Sequence, residues 1–141
     1  MAKPLLHVEN LSVSFDTPKG VVEAVRGISF EVGQERLGIV GESGSGKSQT
    51  GRAILGLTPG RVSADRIEFD GIDLRGASAR TMRKIRGRRI SMIMQDPRYS
   101  LNPVMTVGWQ IAEAYRAHTN ANRRQAKQRA VEMLATVRIR E

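Results

Sequence analysis

The run Gly41-Glu42-Ser43-Gly44-Ser45-Gly46-Lys47-Ser48 satisfies every fixed position of the pattern G-x-x-x-x-G-K-[ST], and it commits the chain to a strand, a tight loop and a helix in that order. The glycines let the backbone wrap an anion with its N–H groups pointing inward, in dihedrals that a Cβ would obstruct. Lys47 then brings a point charge to the outer phosphates of a nucleotide, and the Ser48 hydroxyl is placed to ligate Mg²⁺. The flanks agree with this reading. Arg36-Leu37-Gly38-Ile39-Val40 reads as a short apolar strand leading in, and residues 47–57 carry Ala53, Ile54, Leu55 and Leu57 on a helical pattern leading out. The N-terminus of that helix adds its partial positive charge to the same place. The expected phosphate-binding set is therefore Gly41, Ser43, Gly44, Ser45, Gly46, Lys47, Ser48 and Gln49, for ATP or GTP.

A chain of 141 residues is one domain by size and buries roughly 70% of its unfolded surface, so a true core is possible. No apolar stretch of about 18 residues occurs to span a bilayer, and Met1-Ala2-Lys3-Pro4 lacks the apolar block of a secretory leader. Cysteine is absent, which excludes disulfides, thiolate catalysis and Cys-ligated zinc together and favours a cytoplasmic address. The net charge of +9 is unevenly placed: residues 1–74 hold 8 Lys/Arg against 10 Asp/Glu, whereas residues 75–141 hold 15 against 4. Two clusters make most of it, Arg80, Arg83, Lys84, Arg86, Arg88 and Arg89, then Arg123, Arg124, Lys127 and Arg129. Such a surface suits phosphate backbones or an anionic membrane face. It is equally what solvated helix faces look like.

Along the chain, residues 5–15 alternate as a half-buried strand through Leu6, Val8, Leu11, Val13 and Phe15, with an interruption at Glu9-Asn10. Asp16-Thr17-Pro18-Lys19-Gly20 is a turn, and residues 21–32 resume the strand with Val22, Ala24, Ile28, Phe30 and Val32 on one parity and a bulge at Gly27. Thr58-Pro59-Gly60 is expected to stop the helix that follows the loop, and residues 66–74 form a hairpin with Asp70-Gly71 at its tip. Residues 79–86 predict a short basic helix with Met82 and Ile85 inward, and residues 89–94 a buried strand. Residues 95–105, with Pro97 and Pro103, read as an ordered loop. Two helices follow, over 107–118 with Val107, Ile111, Ala112 and Tyr115 on one face, and over 123–137 with Ala130, Val131, Leu134 and Val137 on another. The two histidines, His7 and His118, have no ligand spacing and read as surface or strand residues.

A phosphate loop alone does not separate a kinase from a GTPase, a helicase or a transport motor. The strand ending in Gln95-Asp96-Pro97, with Ser100-Leu101-Asn102-Pro103-Val104-Met105-Thr106-Val107-Gly108 close behind, resembles the ATP-binding subunit of ABC transporters. Within that superfamily the chain is similar to the import subunits serving dipeptides, oligopeptides and nickel, and the resemblance runs from Leu5 to Glu141. It implies an α/β fold: a P-loop NTPase core with an N-terminal antiparallel β subdomain and the start of a helical subdomain. Residues 1–35 and 61–75 would form the antiparallel region, residues 36–60 and 76–96 the core, and residues 97–141 the Q-loop and the first part of the helical subdomain.

Carried over by position, Gln95 resembles the Q-loop glutamine, which helps ligate Mg²⁺ and senses the γ-phosphate at the joint with the membrane subunit. An amide suits that role, since it offers an oxygen to a hard cation and an NH₂ to water or phosphate without net charge. Phe15 resembles the aromatic that stacks on adenine. The resemblance implies ATP and Mg²⁺ as cofactors, with Ser48 and Gln95 as protein ligands of the metal and Lys47 and Gln95 as the only residues acting in hydrolysis. The implied partners are permease subunits, a second ATP-binding subunit and, indirectly, an extracytoplasmic solute-binding protein, with no specific nucleic acid. The implied place is peripheral, on the cytoplasmic face of the membrane.

Met94, Arg98-Tyr99 and Trp109 depart from the usual family residues. They sit around the joint with the membrane subunit and bear on partner and substrate, not on nucleotide binding. The LSGGQ-type signature, the strand ending in Asp-Glu and the switch histidine do not occur, so the sequence reads as a truncated, N-terminal portion of such a motor that would not turn over alone. Two other classes stay open on the residues: a nucleic-acid-associated P-loop ATPase, suggested by the basic half, and a non-catalytic nucleotide-binding or docking module, suggested by the missing catalytic acid.

Overall fold

Alternating apolar residues build β1 (Leu6–Thr17), the strand on which the first part of the molecule is organised. In the computed structural model, residues 4–95 and 100–139 are described; Asp96, Pro97, Arg98 and Tyr99, on which part of the sequence reading falls, lie outside them. The chain divides into two compact units, Met1–Arg83 and Lys84–Glu141.

In the first unit, β1 pairs antiparallel with β2 (Gly20–Val32) along one edge. Its other edge is shared: β3 (Arg61–Ser63) takes Ser12 to Ser14, and β4 (Arg66–Phe69) takes Leu6 to Glu9. A short β5 (Ile72–Asp73) pairs with β4 through Asp70-Gly71, whose φ values of 47° and 80° are those of the expected two-residue turn. Beyond the hairpin the Arg75 guanidinium pairs with Asp73 at 2.9 Å and holds that carboxyl below its ordinary range. Val8, Leu11 and Val13 are buried under one face of β1, with Val25, Ile67 and Phe69 beside them.

Two irregularities face each other across β1 and β2. Asn10 adopts φ 52°, its N–H donates to Ser29 Oγ at 2.9 Å, and its side-chain amide donates to Asp65 at 3.1 Å. Gly27 adopts φ 58° and would put a Cβ 2.9 Å from Asn10 Oδ1, so the close approach and the dihedral both demand glycine. The bulge expected at Gly27 is present, but its consequence corrects the expected parity. The register runs from Leu11↔Ile28 to Val13↔Val25, one extra residue on β2 that brings Val25 to the buried face, and then to Ser14↔Glu23, a second that returns Val22 to the face of Phe15 near the turn. Val25 is 5% exposed, whereas Val22, placed inward by simple alternation, is 52% exposed. Val25→Ala is expected to cost about 2 kcal/mol and Val22→Ala less than about 0.5 kcal/mol. Equal losses in urea denaturation would refute this placement of the core.

The helix after the loop, α1 (Lys47–Ile54), packs on β1 and β2 and buries Thr50, Ala53 and Ile54. It ends earlier than Thr58-Pro59-Gly60 implied. Gly56 takes φ 60°, its N–H reaches Ala53 O at 3.0 Å and the Leu57 N–H reaches Arg52 O at 2.7 Å, a Schellman termination. A further correction concerns residues 36–40 and 89–94, read as strands from their apolar content. Neither forms a strand; among the described residues Ile90 makes only an isolated bridge with Arg86. Val40 and Ile93 are 97% and 95% exposed. An apolar run becomes a strand only where another backbone supplies its hydrogen bonds.

The division between units falls within α2 (Ala79–Ile85), where Met82 and Ile85 are buried as their spacing predicts. In the second unit, α3 (Val107–Ala117) starts at Thr106, whose hydroxyl accepts from the Trp109 N–H at 3.3 Å. The next helix, α4 (Arg123–Thr136), starts in a capping box: Asn122 and Gln125 exchange two backbone-to-side-chain bonds of 2.9 Å each. The two helices pack together, with Ala126 and Ala130 the residues fully buried on α4. Of the expected faces, Ile111, Ala112 and Leu134 are partly buried, while Val107, Tyr115, Val131 and Val137 are exposed.

Candidate functional site

The loop between residue 40 and α1 is shaped by what a side chain would hit. A Cβ on Gly41 would lie 2.5 Å from Ser45 Oγ, and one on Gly46 would lie 2.2 Å from Ala24 O and 3.0 Å from Val25 Cγ2. Gly44 and Gly46 also take φ values of 83° and 87°, in the left-handed region. The Ser45 N–H closes the turn on Glu42 O at 3.2 Å. The loop therefore rests on the bulged stretch of β2, which sequence reasoning had not connected with it. Upstream, the Gly33 N–H donates to Glu35 at 2.7 Å and holds that exposed carboxyl below its usual range.

Lys47 reaches back across the loop: its Nζ donates to Gly41 O and Glu42 O at 2.6 Å each and to Ser45 Oγ at 3.1 Å. The ammonium thus braces the carbonyl side of the same loop whose amides are available to an anion. Gly46 is the N-cap of α1; no side chain caps the first turn and no acidic residue stands in it. Unfilled N–H groups at a helix start, together with the helix dipole, make a site for negative charge. Thr50, 3% exposed, anchors this end by donating both its N–H and its hydroxyl to Gly46 O, at 2.9 and 3.1 Å. A cleft of about 470 Å³ opens beside the loop, with Gly44, Ser45 and Lys47 on one wall and Glu23, Ala24 and Arg26 on another.

These residues fit a polyphosphate: backbone leaves no room for a Cβ at Gly46, and no side chain caps the first turn of α1. Ser48 lies exposed on that turn. Gln49 points its amide oxygen along the helix to Thr58, whose hydroxyl donates to it at 3.0 Å. Phe15, the residue expected under a nucleobase, is half-buried on β1, opposite Val22 in the ladder. Gln95 belongs to the second unit, where it is exposed. Among the described residues no three His, Cys, Asp or Glu side chains cluster as a metal site. Sequence reasoning missed Ala24, Thr58 and Gly60. Only the glycine at 27, which marks the β2 bulge, pointed toward any of them.

Comparison with known proteins bears on the whole chain. Residues 25–141 match the family described as ABC transporter. The chain is 48% identical over 138 residues to the dipeptide transport ATP-binding protein DppD of Escherichia coli, covering 96% of this chain and 42% of that protein. It is 48% identical over 139 residues to the oligopeptide transport ATP-binding protein OppD of Bacillus subtilis, covering 96% and 39%. A putative peptide import ATP-binding protein of Brucella abortus is 45% identical over 139 residues, again covering 96% of this chain and 42% of the relative. The chain thus spans about two-fifths of the length of these curated relatives.

Proposed function

Because the chain belongs to the ABC transporter family, we propose that it binds Mg·ATP through residues 41–49 as part of the energy-coupling subunit of a membrane importer for peptides. The observation that carries this reading is the glycine cradle closed by Lys47 at the uncapped start of α1. Lys47 would turn from Gly41 O and Glu42 O to the β- and γ-phosphates, and the loop amides would hold the anion without reorganising. As the resemblance implies, Ser48 and Gln95 would each offer the metal an oxygen. The metal, when bound, would supply neutralising charge to the phosphates. Phe15 would lie under the base. The division expected from the sequence goes with this proposal: residues 1–35 and 61–75 as antiparallel region, 36–60 and 76–96 as core, 97–141 as Q-loop and helical start.

The peptide substrate follows from what the relatives' names say of them. The partners would be permease subunits, a second ATP-binding subunit and, through the permease, a solute-binding protein. No described helix is long and apolar enough to cross a membrane, which suits peripheral attachment at the cytoplasmic face. Mg·ATP is expected to raise the stability of the chain by about 2.7 kcal/mol at 100 times Kd, read as a rise in Tm. A flat thermal titration to millimolar ATP would end this reading. These 141 residues by themselves are expected to hold nucleotide without steady-state turnover, and hydrolysis that disappears in Lys47→Ala would refute that part alone.

A further inference from the structure

Gly60 lies against the ring of Phe15. A Cβ at Gly60 would be 2.9 Å from both Cε1 and Cζ of the ring and 2.8 Å from Ser14 O, nearer than side-chain carbons approach their neighbours. Gly60 precedes β3, and the Ser14↔Arg61 pair sets it beside Phe15 across the ladder. On the other side of β1 the residue opposite Phe15 is Val22, half exposed. The ring thus has backbone, not a side chain, along one edge, and a Cβ at residue 60 would displace it.

Gly60 is itself held from α1. Its N–H donates to Thr58 Oγ1 at 3.1 Å, and the same hydroxyl donates to Gln49 Oε1 at 3.0 Å. Thr58 therefore ties the third residue of α1 to the backbone that borders Phe15, using one hydroxyl as both acceptor and donor. The phosphate loop feeds directly into that helix through Gly46.

We propose that Gly60, fixed by Thr58, is a positioning residue that sets the Phe15 ring as the platform for the nucleobase and ties it to the phosphate loop through Gln49. This rests on the reading of the site as a nucleotide cradle with Phe15 under the base. A stacked base gains its energy from face-to-face contact, so a ring displaced by one methyl group loses a large part of it while the phosphate cradle is untouched. Replacement of a stacking aromatic costs about ten- to a hundredfold in affinity, and its displacement should cost about tenfold.

The test compares Kd for Mg·ATP with Kd for inorganic tripolyphosphate, which has the phosphates and no base. Gly60→Ala and Thr58→Val are expected to weaken ATP about tenfold and tripolyphosphate less than about twofold, and Thr58→Ser, which keeps the hydroxyl, to retain both. Equal losses for the two ligands would mean general damage and overturn the proposal, as would an unchanged Kd for ATP. If Gly60→Ala does not fold, the contrast between Thr58→Val and Thr58→Ser decides the matter. Wild-type chain that binds tripolyphosphate as tightly as ATP would refute the base platform while leaving the cradle standing. Failure to bind either would refute the cradle and the proposal with it.

Discussion

Lys47→Ala is expected to abolish the rise in Tm that Mg·ATP produces in the parent chain, a difference of roughly 10 °C at 100 times Kd for a domain of this size. The argument starts from the three bonds that the ammonium makes to its own loop, to Gly41 O, Glu42 O and Ser45 Oγ. In the ligand-free chain these lie at the surface, where such contacts contribute little, so the mutant alone should melt within a few degrees of the parent. With nucleotide the same charge is set against phosphate oxygens at the positive end of α1, and charge-assisted bonds of that kind contribute about 1.5–3 kcal/mol each. Two of them lost correspond to a hundredfold or greater fall in affinity. Lys47→Arg keeps the charge but not the compact reach between two carbonyls, and should recover only part of the shift. If Lys47→Ala melts with the same nucleotide dependence as the parent, the phosphates are bound elsewhere.

Leu11→Ala should be the most damaging single change to the fold, at about 2–5 kcal/mol. Leu11 is 0% exposed and sits midway along β1, between the stretches that pair with β4 and with β3 and directly opposite Ile28 of β2. Small domains have total stabilities of about 5–15 kcal/mol, so the loss moves the urea midpoint by roughly 1–3 M. Neighbouring backbone is held by the Asn10 and Gly27 bulges and has little freedom to collapse into the vacancy, which puts the expected value in the upper half of the range. Val40→Ala is the control: an aliphatic side chain in an apolar run, 97% exposed, whose removal should change stability by less than about 0.5 kcal/mol. Comparable losses at 11 and 40 would mean that the core has been misplaced.

The contrast between those two residues shows how far local pattern reaches. Alternation along β1, the Asp70-Gly71 turn, the bulge at Gly27 and the starts of α1, α3 and α4 depend on residues a few positions apart, and each is present as its residues require. The cradle is legible for the same reason, since eight consecutive residues hold its glycines, its cation and its hydroxyl. Residues 36–40 and 89–94 both read as strands from their apolar content, yet neither belongs to a strand among the described residues, because strand formation needs hydrogen bonds from a distant stretch of backbone. The early stop of α1 at Gly56 and the burial of Val25 by the β2 bulge have local causes that a count of apolar positions does not weigh.

What the sequence by itself determined is the family and the glycine loop that leads into α1, since both rest on residues fixed in spacing: such a loop needs glycines, a lysine and a helix start in order, and nothing remote. What only the tertiary structure decided is how that cradle is supported. Ala24 O lies where a Cβ on Gly46 would go, and Phe15 borders Gly60; Thr58 bridges Gln49 to Gly60. These contacts join residues up to 45 positions apart, as Phe15 and Gly60 are. They exist because two bulges on neighbouring strands and a glycine-terminated helix bring those backbones within reach, a condition that no single segment of the chain carries.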